Sequence, residues 1–212
     1  MSVRADMTMS LDGFVAGPNA SLEKPLGEGG ERLHEWMVNL ASFRAEHGLE
    51  GGETGPEDDR LRAFTESNAA FVMGRNMFSG GFGAGPWADD PNPNGWWGDE
   101  PPFRAPVFVL THHEREPLVL GATTFHFVTG GVEEAVARAR EAAGERDVLI
   151  SGGADVVQQA LDAGAVDELH LHLAPLLLGD GVRLFGAGRP ELELAEVVDS
   201  PHAAHLTYRV VN

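Results

Sequence analysis

Residues 148–178 read VLISGGADVVQQALDAGAVDELHLHLAPLLL, and the order of their parts decides the fold class. Val148, Leu149 and Ile150 form a short apolar run without polar alternation, as expected for a strand buried on both faces of a parallel sheet. Ser151, Gly152 and Gly153 break that run. Glycines at such a corner permit the turn and let a ligand approach the backbone, while the free N–H groups and positive dipole end of a following helix attract an anion. Val156, Val157, Ala160 and Leu161 recur at helical spacing, and Gly164 stands where a C-terminal glycine stops a helix. Leu169, Leu171 and Leu173 then alternate with His170 and His172, the two-residue period of a strand with one less buried face. The stretch is a βαβ unit with a candidate phosphate-binding turn. No Lys or Arg falls between Asp147 and Val182, so an anion held here rests on backbone donors. A glycine pair also has a purely structural reading, as a tight corner between strand and helix.

Outward from this unit, residues 3–9 read as a first strand that runs into the turn-rich LDGFVAGPN at 11–19. Leu33, Trp36, Met37, Leu40 and Phe43 share one stripe at helical spacing, which predicts an amphipathic helix over residues 31–46. Pro56 suits the first turn of a short helix carrying Leu61 and Phe64. Residues 70–73, 106–110 and 124–128 read as strands, and Val132, Val136, Ala139 and Ala143 outline another helix. Two C-terminal runs, 191–198 and 204–211, form an expected antiparallel pair. Strands alternating with helices and ending in a hairpin predict an α/β fold with a mostly parallel sheet, and 212 residues fit one domain. From Gly80 to Pro102 the chain is rich in Gly and Pro yet holds Trp87, Trp96 and Trp97. That is too long for an ordinary connection. It reads as a lid or substrate wall, or alternatively as an ordered surface or dimer-contact loop.

The net charge is −18, with a single lysine, Lys24. Such a chain repels polyanions at a distance, which argues against a nucleic-acid binder or an anionic-membrane binder but not against a nucleotide held in a local site. The absence of cysteine excludes disulfides, a thiol nucleophile and a cysteine-ligated metal. No basic segment followed by an apolar one opens the sequence at Met1, and no membrane-length apolar run occurs, so a cytoplasmic protein is expected. His170 with His172, and His202 near His205, make a histidine metal site conceivable, but exposed strand histidines are the commoner explanation and no metal is expected.

Four segments in this order resemble the dihydrofolate reductase superfamily and, within it, the reductase domain of the riboflavin-pathway deaminase-reductases and their stand-alone relatives. They are MSLDGFVAGPN at 9–19, FVMGRNMF at 71–78, VFVLTHH at 107–113 and ISGGADVVQQALDAGAVDELHLHLAPLLLGDGVRLF at 150–185. The resemblance spans nearly the whole chain. It implies a three-layer α/β/α dihydrofolate reductase-like domain over residues 1–212, a homodimer, and NADPH as cofactor. It places the nicotinamide near Thr8 and the loop Asp12 to Ala16, which includes Gly13 and Val15. The adenosine 2′-phosphate falls near Gly74, Arg75 and Asn76 on one side and Thr111 and His112 on the other. The pyrophosphate falls on Gly152, Gly153 and Ala154, with Ser151 and Asp155 beside them. Arg75 has the fixed charge and fork geometry that an extra phosphate needs, which favours NADPH over NADH. In the riboflavin-pathway reductases the residue before the glycine pair is typically an acid; here it is Ser151, and the cysteines of the deaminase zinc site are absent.

The resulting expectation is an NADPH-dependent reductase that transfers hydride to a small heterocyclic substrate, pyrimidine- or pterin-like, or to a carbonyl. It is similar to 5-amino-6-(5-phosphoribosylamino)uracil reductase. Asp12 is the candidate proton relay, with shaping of the turn before Gly13 as its other reading. Glu31 and Glu35 fall where the folate-type enzymes carry a substrate-binding carboxylate, or else on a solvated helix face. A catalytically silent NADPH-binding module or sensor on the same fold is the alternative.

Overall fold

The computed structural model describes residues 1–80 and 85–211. Strand β1, Val3–Ser10, carries two opposite characters, with Val3, Ala5 and Met7 on one face and Arg4, Asp6, Thr8 and Ser10 on the other. Phe14–Ala16 (β2) follows after the turn. The stripe from Leu33 to Phe43 does not make one helix. A 3-10 turn, Gly30–His34, leads into two short helices, Glu35–Val38 (α1) and Ala41–Glu46 (α2). Leu40 between them is extended, and the chain there is tied to Glu53: Glu53 N donates to Asn39 O and Ala41 N to Glu53 O, both at 2.8 Å. The stripe serves two destinations. Leu33 packs against Ala174 and Leu176, whereas Trp36 and Leu40 pack with Ala203, and a single straight helix does not reach both.

The remaining elements are Pro56–Ser67 (α3), Asn68–Gly74 (β3), Arg75–Phe78 (α4), Pro106–Leu110 (β4), Leu118–Leu120 (β5), Thr123–Val128 (β6) and Val132–Ala143 (α5). Asp147–Gly152 (β7), Ala154–Asp162 (α6), Glu168–Ala174 (β8), Val182–Arg183 (β9), Glu191–Asp199 (β10) and Ala204–Val211 (β11) complete the chain. The nine-stranded sheet runs β10-β11-β8-β1-β7-β3-β4-β6-β5, parallel from β8 through to β6 and antiparallel at both edges. This is the mostly parallel sheet with a C-terminal hairpin that the sequence predicts. The pattern did not show β5 or the small ribbon of β2 with β9, because two or three residues are too few to display a period.

Helices cover both faces. On one, Val136 and Ala139 of α5 and Val157 and Ala160 of α6 join Val3, Ala5, Val72 and Ile150 in the main core. On the other, α3 and Trp36 lie over the polar side of β1, β8 and β11: Phe64 packs on Arg4 and on His170, and Trp36 on His172 and His205. A second apolar cluster, Phe71, Phe78, Phe125 and Phe127, lies under the tryptophan-rich loop. The parallel strands all end on one side of the sheet. In sheets of this kind that side forms the ligand crevice.

Phe78 is fully buried, with Phe125, Phe127 and Trp87 all edge-on around it. Replacing it with alanine, Phe78→Ala, is expected to cost about 3–5 kcal/mol of stability by leaving a cavity that such a cluster cannot close. Urea denaturation followed by fluorescence checks this, as a lower midpoint at unchanged slope.

Candidate functional site

Strand β7 ends at Gly152, which has φ +118° and a cis peptide bond to Gly153. A Cβ added at Gly153 would meet nothing within 4 Å, so the corner faces open space. Val156 N and Val157 N both donate to Gly153 O, at 3.0 and 3.2 Å, and the N–H groups of Ala154 and Asp155 lie at the start of α6, where no intrahelical acceptor exists. At the end of β3, a Cβ on Gly74 would fall 2.9 Å from Val156 Cγ2. Glycine there lets α6 sit close to the strand.

A cavity of about 990 Å³ runs across these strand ends. In sheet order, its wall takes Thr8 from β1, with Val15 and Ala16 of β2, then Ser151 near the end of β7 and Gly153, Ala154 and Asp155 after it. Gly74, Arg75 and Asn76 follow from β3, opposite Thr111 and His112 at the end of β4. Segments distant in sequence thus share one crevice. Gly13 and Gly152 do not line it but shape its edge: Gly13, at φ +91°, accepts from Leu184 N through its carbonyl.

Four residues of the wall carry buried polar atoms with no partner among the described residues: Ser151 Oγ, Trp97 Nε1, His34 Nδ1, and Arg75 Nε and Nη1. Buried polar groups are ordinarily hydrogen-bonded, so such a row along one crevice marks where a polar ligand fits. Burial holds the His34 ring below its ordinary pKa and therefore neutral.

Several sequence expectations take a different form. Asp12 does not line the cavity; Ser10 Oγ (2.5 Å), Leu178 N (3.2 Å) and Gly179 N (2.7 Å) all donate to its carboxylate. Those bonds, the Ser10 hydroxyl first, keep it below the usual carboxylate range. Its work is to tie the first loop to the segment after β8. Trp87 is not a cavity wall either. Its ring lies under the Arg75 guanidinium, 3.6 Å from the ring centre, and its Nε1 donates to His113 O. Trp96 and Trp97 do line the cavity, whereas residues 81–84 of the same loop lie outside the described residues. Arg75 is not a free cation: its Nη2 pairs with the fully buried Asp90 carboxylate at 2.9 Å. Burial raises the Asp90 pKa, but hydrogen bonds from Ser79, Arg75 and Asn92 N outweigh it and hold the group below the ordinary value. Glu31 and Glu35 are exposed and lie off the cavity wall, which is the solvated-face reading.

The polar face of β1 also borders the cavity. Asp6, His34, Trp36 and His172 all line the cavity. His170 and His172 are not exposed strand histidines but lie beneath Phe64 and Trp36. Among the described residues, no group of three or more His, Asp or Glu converges so as to hold a metal ion. The available signal was the alternation Arg4, Asp6, Thr8 inside an otherwise apolar strand.

The sequence matches the family described as RibD C-terminal domain over residues 1–206. The chain belongs to the RibD C-terminal domain family. No curated protein matches it in sequence. Among solved structures it is similar to a candidate riboflavin biosynthesis protein from Shewanella sp. PV-4, at 22% identity over 100% of both chains and a TM-score of 0.66. A deaminase and 5-amino-6-(5-phosphoribosylamino)uracil reductase from Thermotoga maritima matches at 13% identity and a TM-score of 0.55, over 99% of this chain but 56% of that one. Dihydrofolate reductase from Enterococcus faecalis, complexed with NADP(H), matches at 17% identity over 100% of this chain and 97% of the other, with a TM-score of 0.51. Likeness at this identity establishes the fold, and family membership makes the chain a reductase of the RibD type. Among the described residues no helix is long and apolar enough to cross a membrane.

The buried Arg75–Asp90 pair generates a prediction. Removing one partner of a buried pair leaves the other charge uncompensated, so Asp90→Asn is expected to cost about 3–5 kcal/mol. Because the folded-state pKa of Asp90 is lowered, the pair stabilises the fold above the ordinary carboxylate range, and that stability is lost as pH falls through the folded value. Denaturation of wild type and variant across acidic pH should show the gap closing toward the acid end.

Proposed function

We propose that this chain is an NADPH-dependent reductase of a small heterocyclic or carbonyl substrate. The observation that carries this reading is the row of unpartnered buried polar atoms along a crevice at the C-terminal ends of parallel strands. When bound, the cofactor supplies a hydride; the protein supplies position, charge and the exclusion of water.

In this reading the pyrophosphate rests on backbone N–H groups around Gly152, Gly153 and Ala154, with the Ser151 hydroxyl and Asp155 beside it. The open side of Gly153 and the unpartnered Ser151 Oγ support that assignment. The adenosine 2′-phosphate lies among Gly74, Arg75, Asn76, Thr111 and His112. Asp90 occupies Nη2 of Arg75 and so aims the remaining Nε and Nη1 donors, which have no partner among the described residues, at the phosphate. Thr8, Gly13, Val15 and Ala16 flank the nicotinamide. Trp96 and Trp97 wall the substrate space, and the neutral His34 offers a hydrogen bond to a pyrimidine- or pterin-like ring. Asp12 positions the first loop and takes no part in proton transfer.

The sheet draws strands from β1 at the start of the chain to β11 at its end, which supports one reductase domain over residues 1–212. A cytoplasmic homodimer completes the proposal. Leu194 and Val197 of the edge strand β10, both 57% exposed, supply an apolar surface for the second copy.

Titration with NADPH followed by nicotinamide fluorescence tests cofactor binding, and NADPH oxidation is then measured against 5-amino-6-(5-phosphoribosylamino)uracil, dihydrofolate and a quinone. Arg75→Lys keeps a charge for Asp90 but loses the Nε and Nη1 fork. It is expected to weaken NADPH by about tenfold or more, the worth of ~1.5–3 kcal/mol of charge-assisted hydrogen bonds. NADH should be little affected. Equal losses for both cofactors would remove the 2′-phosphate assignment.

A further inference from the structure

The polar face of the sheet holds a connected line of titratable groups that the cofactor reading does not use. Asp6 of β1, His172 of β8 and His205 of β11 lie on neighbouring strands, and Glu57 comes down from α3. His172 Nε2 lies 3.1 Å from both Asp6 carboxylate oxygens. His172 Nδ1 and His205 Nδ1 are 2.6 Å apart, and His205 Nε2 lies 3.0 Å from Glu57 Oε1. Asp6 and His172 line the cavity. At the far end Glu57, part exposed, also accepts from Ser200 Oγ at 2.7 Å. The line therefore runs from the cavity to the surface.

Its protonation follows from hydrogen-bond logic. The two carboxylates each accept from an Nε2–H, and two Nδ1 atoms at 2.6 Å hold one proton between them, because two N–H groups cannot point at each other. One proton at each end and one in the middle make a single imidazolium shared by two rings. Shifting the central proton moves the charge from one ring to the other, and every hydrogen bond survives. Trp36 lies against both rings, tilted over His172 at 4.5 Å between centroids and edge-on to His205 at 5.0 Å, and its Nε1 donates to Thr8 Oγ1, which screens the line from water.

Other charged groups face it. Arg4, His170 and His34 lie near Asp6, and Arg60 lies near His205. Burial pushes the Asp6 pKa up, but His172, with His170 and Arg4, outweighs it and keeps the carboxylate ionised. Burial and the neighbouring His172 lower the pKa of His205 against the opposing pull of Glu57.

We propose that His172 and His205, sharing one imidazolium between the Asp6 and Glu57 carboxylates, form the acid that supplies the proton consumed in each reduction. The proposal rests on the reductase reading. The hydride and its electron pair come from the reduced nicotinamide and form the new C–H bond on the acceptor carbon. The π pair of the C=N or C=O bond moves to the heteroatom, which takes the proton held between His172 Nε2 and the Asp6 carboxylate. The central proton settles on His172 Nδ1, both rings are left neutral, and a solvent proton entering the cavity once product has left restores the His172 Nε2–H. Each turnover uses one hydride and one proton. His172 and Asp6 are the groups in reach of substrate; His205 and Glu57 act through them.

The first test needs no substrate. Proton–nitrogen NMR of the imidazoles in the full chain should show one proton coupled to Nδ1 of both rings, and Glu57→Gln should move the titration of His205 to lower pH by removing an anion from the shared imidazolium. Separate imidazole signals with no shared proton, or a His205 titration that ignores Glu57→Gln, would overturn the shared acid.

The second test uses whichever acceptor the wild type reduces. His205→Gln can still hydrogen-bond to His172 but cannot share its charge. It should lower kcat about a hundredfold, within the range for loss of acid catalysis, while NADPH affinity is kept. Glu57→Gln should move the basic limb of the kcat profile to lower pH. A lower stability with an unmoved limb would mean a structural role and sink the proposal. Should His205→Gln fail to fold, the limb in Glu57→Gln decides. Absence of NADPH oxidation with every acceptor overturns the reductase reading instead, and the NMR measurement then decides the shared acid alone.

Discussion

Strand β1 lies in the interior of a nine-stranded sheet with layers on both sides, so the polar side chains it sends to its second face must be matched inside the protein. Arg4 reaches Asp147 at 3.3 Å and Asn68 Oδ1, and lies over the Phe64 ring. Asp6 faces His172, Thr8 accepts from Trp36 Nε1, and Ser10 Oγ both donates to Asp12 and accepts from Phe14 N. Each of these contacts fixes another part of the molecule. The first anchors the start of β7 and the end of α3, the second orders β8, the third seats the Trp36 cap, and the last sets the loop that borders the cavity. The opposite face of the same strand, Val3, Ala5 and Met7, belongs to the main apolar core. One strand therefore couples the stability of the fold to the lining of the site.

The crevice is built differently at its two ends. Around Gly152 and Gly153 the donors are backbone N–H groups, fixed by the helix start and indifferent to the charge of −18 on the chain. Around Arg75 the charge is a side chain held in place by Asp90 below Nη2 and Trp87 under its plane. Arg115 approaches the same indole, 4.8 Å from its centre, so the tryptophan holds two cations side by side. The two ends of the crevice thus differ in the source of their donors, backbone at one and a fixed, partly neutralised side-chain cation at the other.

The sequence carried the sheet well because its signals are local. Val148 to Ile150, the Gly-Gly corner and the alternation from Leu169 to Leu173 each lie within a few residues, and the strand and helix they predict are β7, α6 and β8. The resemblance of four segments added the family. The stripe from Leu33 to Phe43 misled because its apolar spacing is helical, while the buried residues answer to two separate clusters and a backbone tie to Glu53. Asp12 and Trp87 lie off the cavity wall, bonded to Ser10 and the segment after β8 in the first case and under Arg75 in the second, since composition says which groups are present but not what they touch.

Sequence alone determined the order of the longer strands and helices around the sheet, its mostly parallel character and the glycine corner after β7, because these follow from backbone preference and periodicity over short stretches. Only the tertiary structure decided that Arg75 is matched by Asp90, that Trp87 supports that arginine, and that Asp6, His172, His205 and Glu57 stand in one line. Those partners are 15 residues apart in the first case and up to 166 in the last. They meet through strand order and register, which put His172 beside Thr8 on one side and His205 on the other. No local pattern encodes which strands become neighbours.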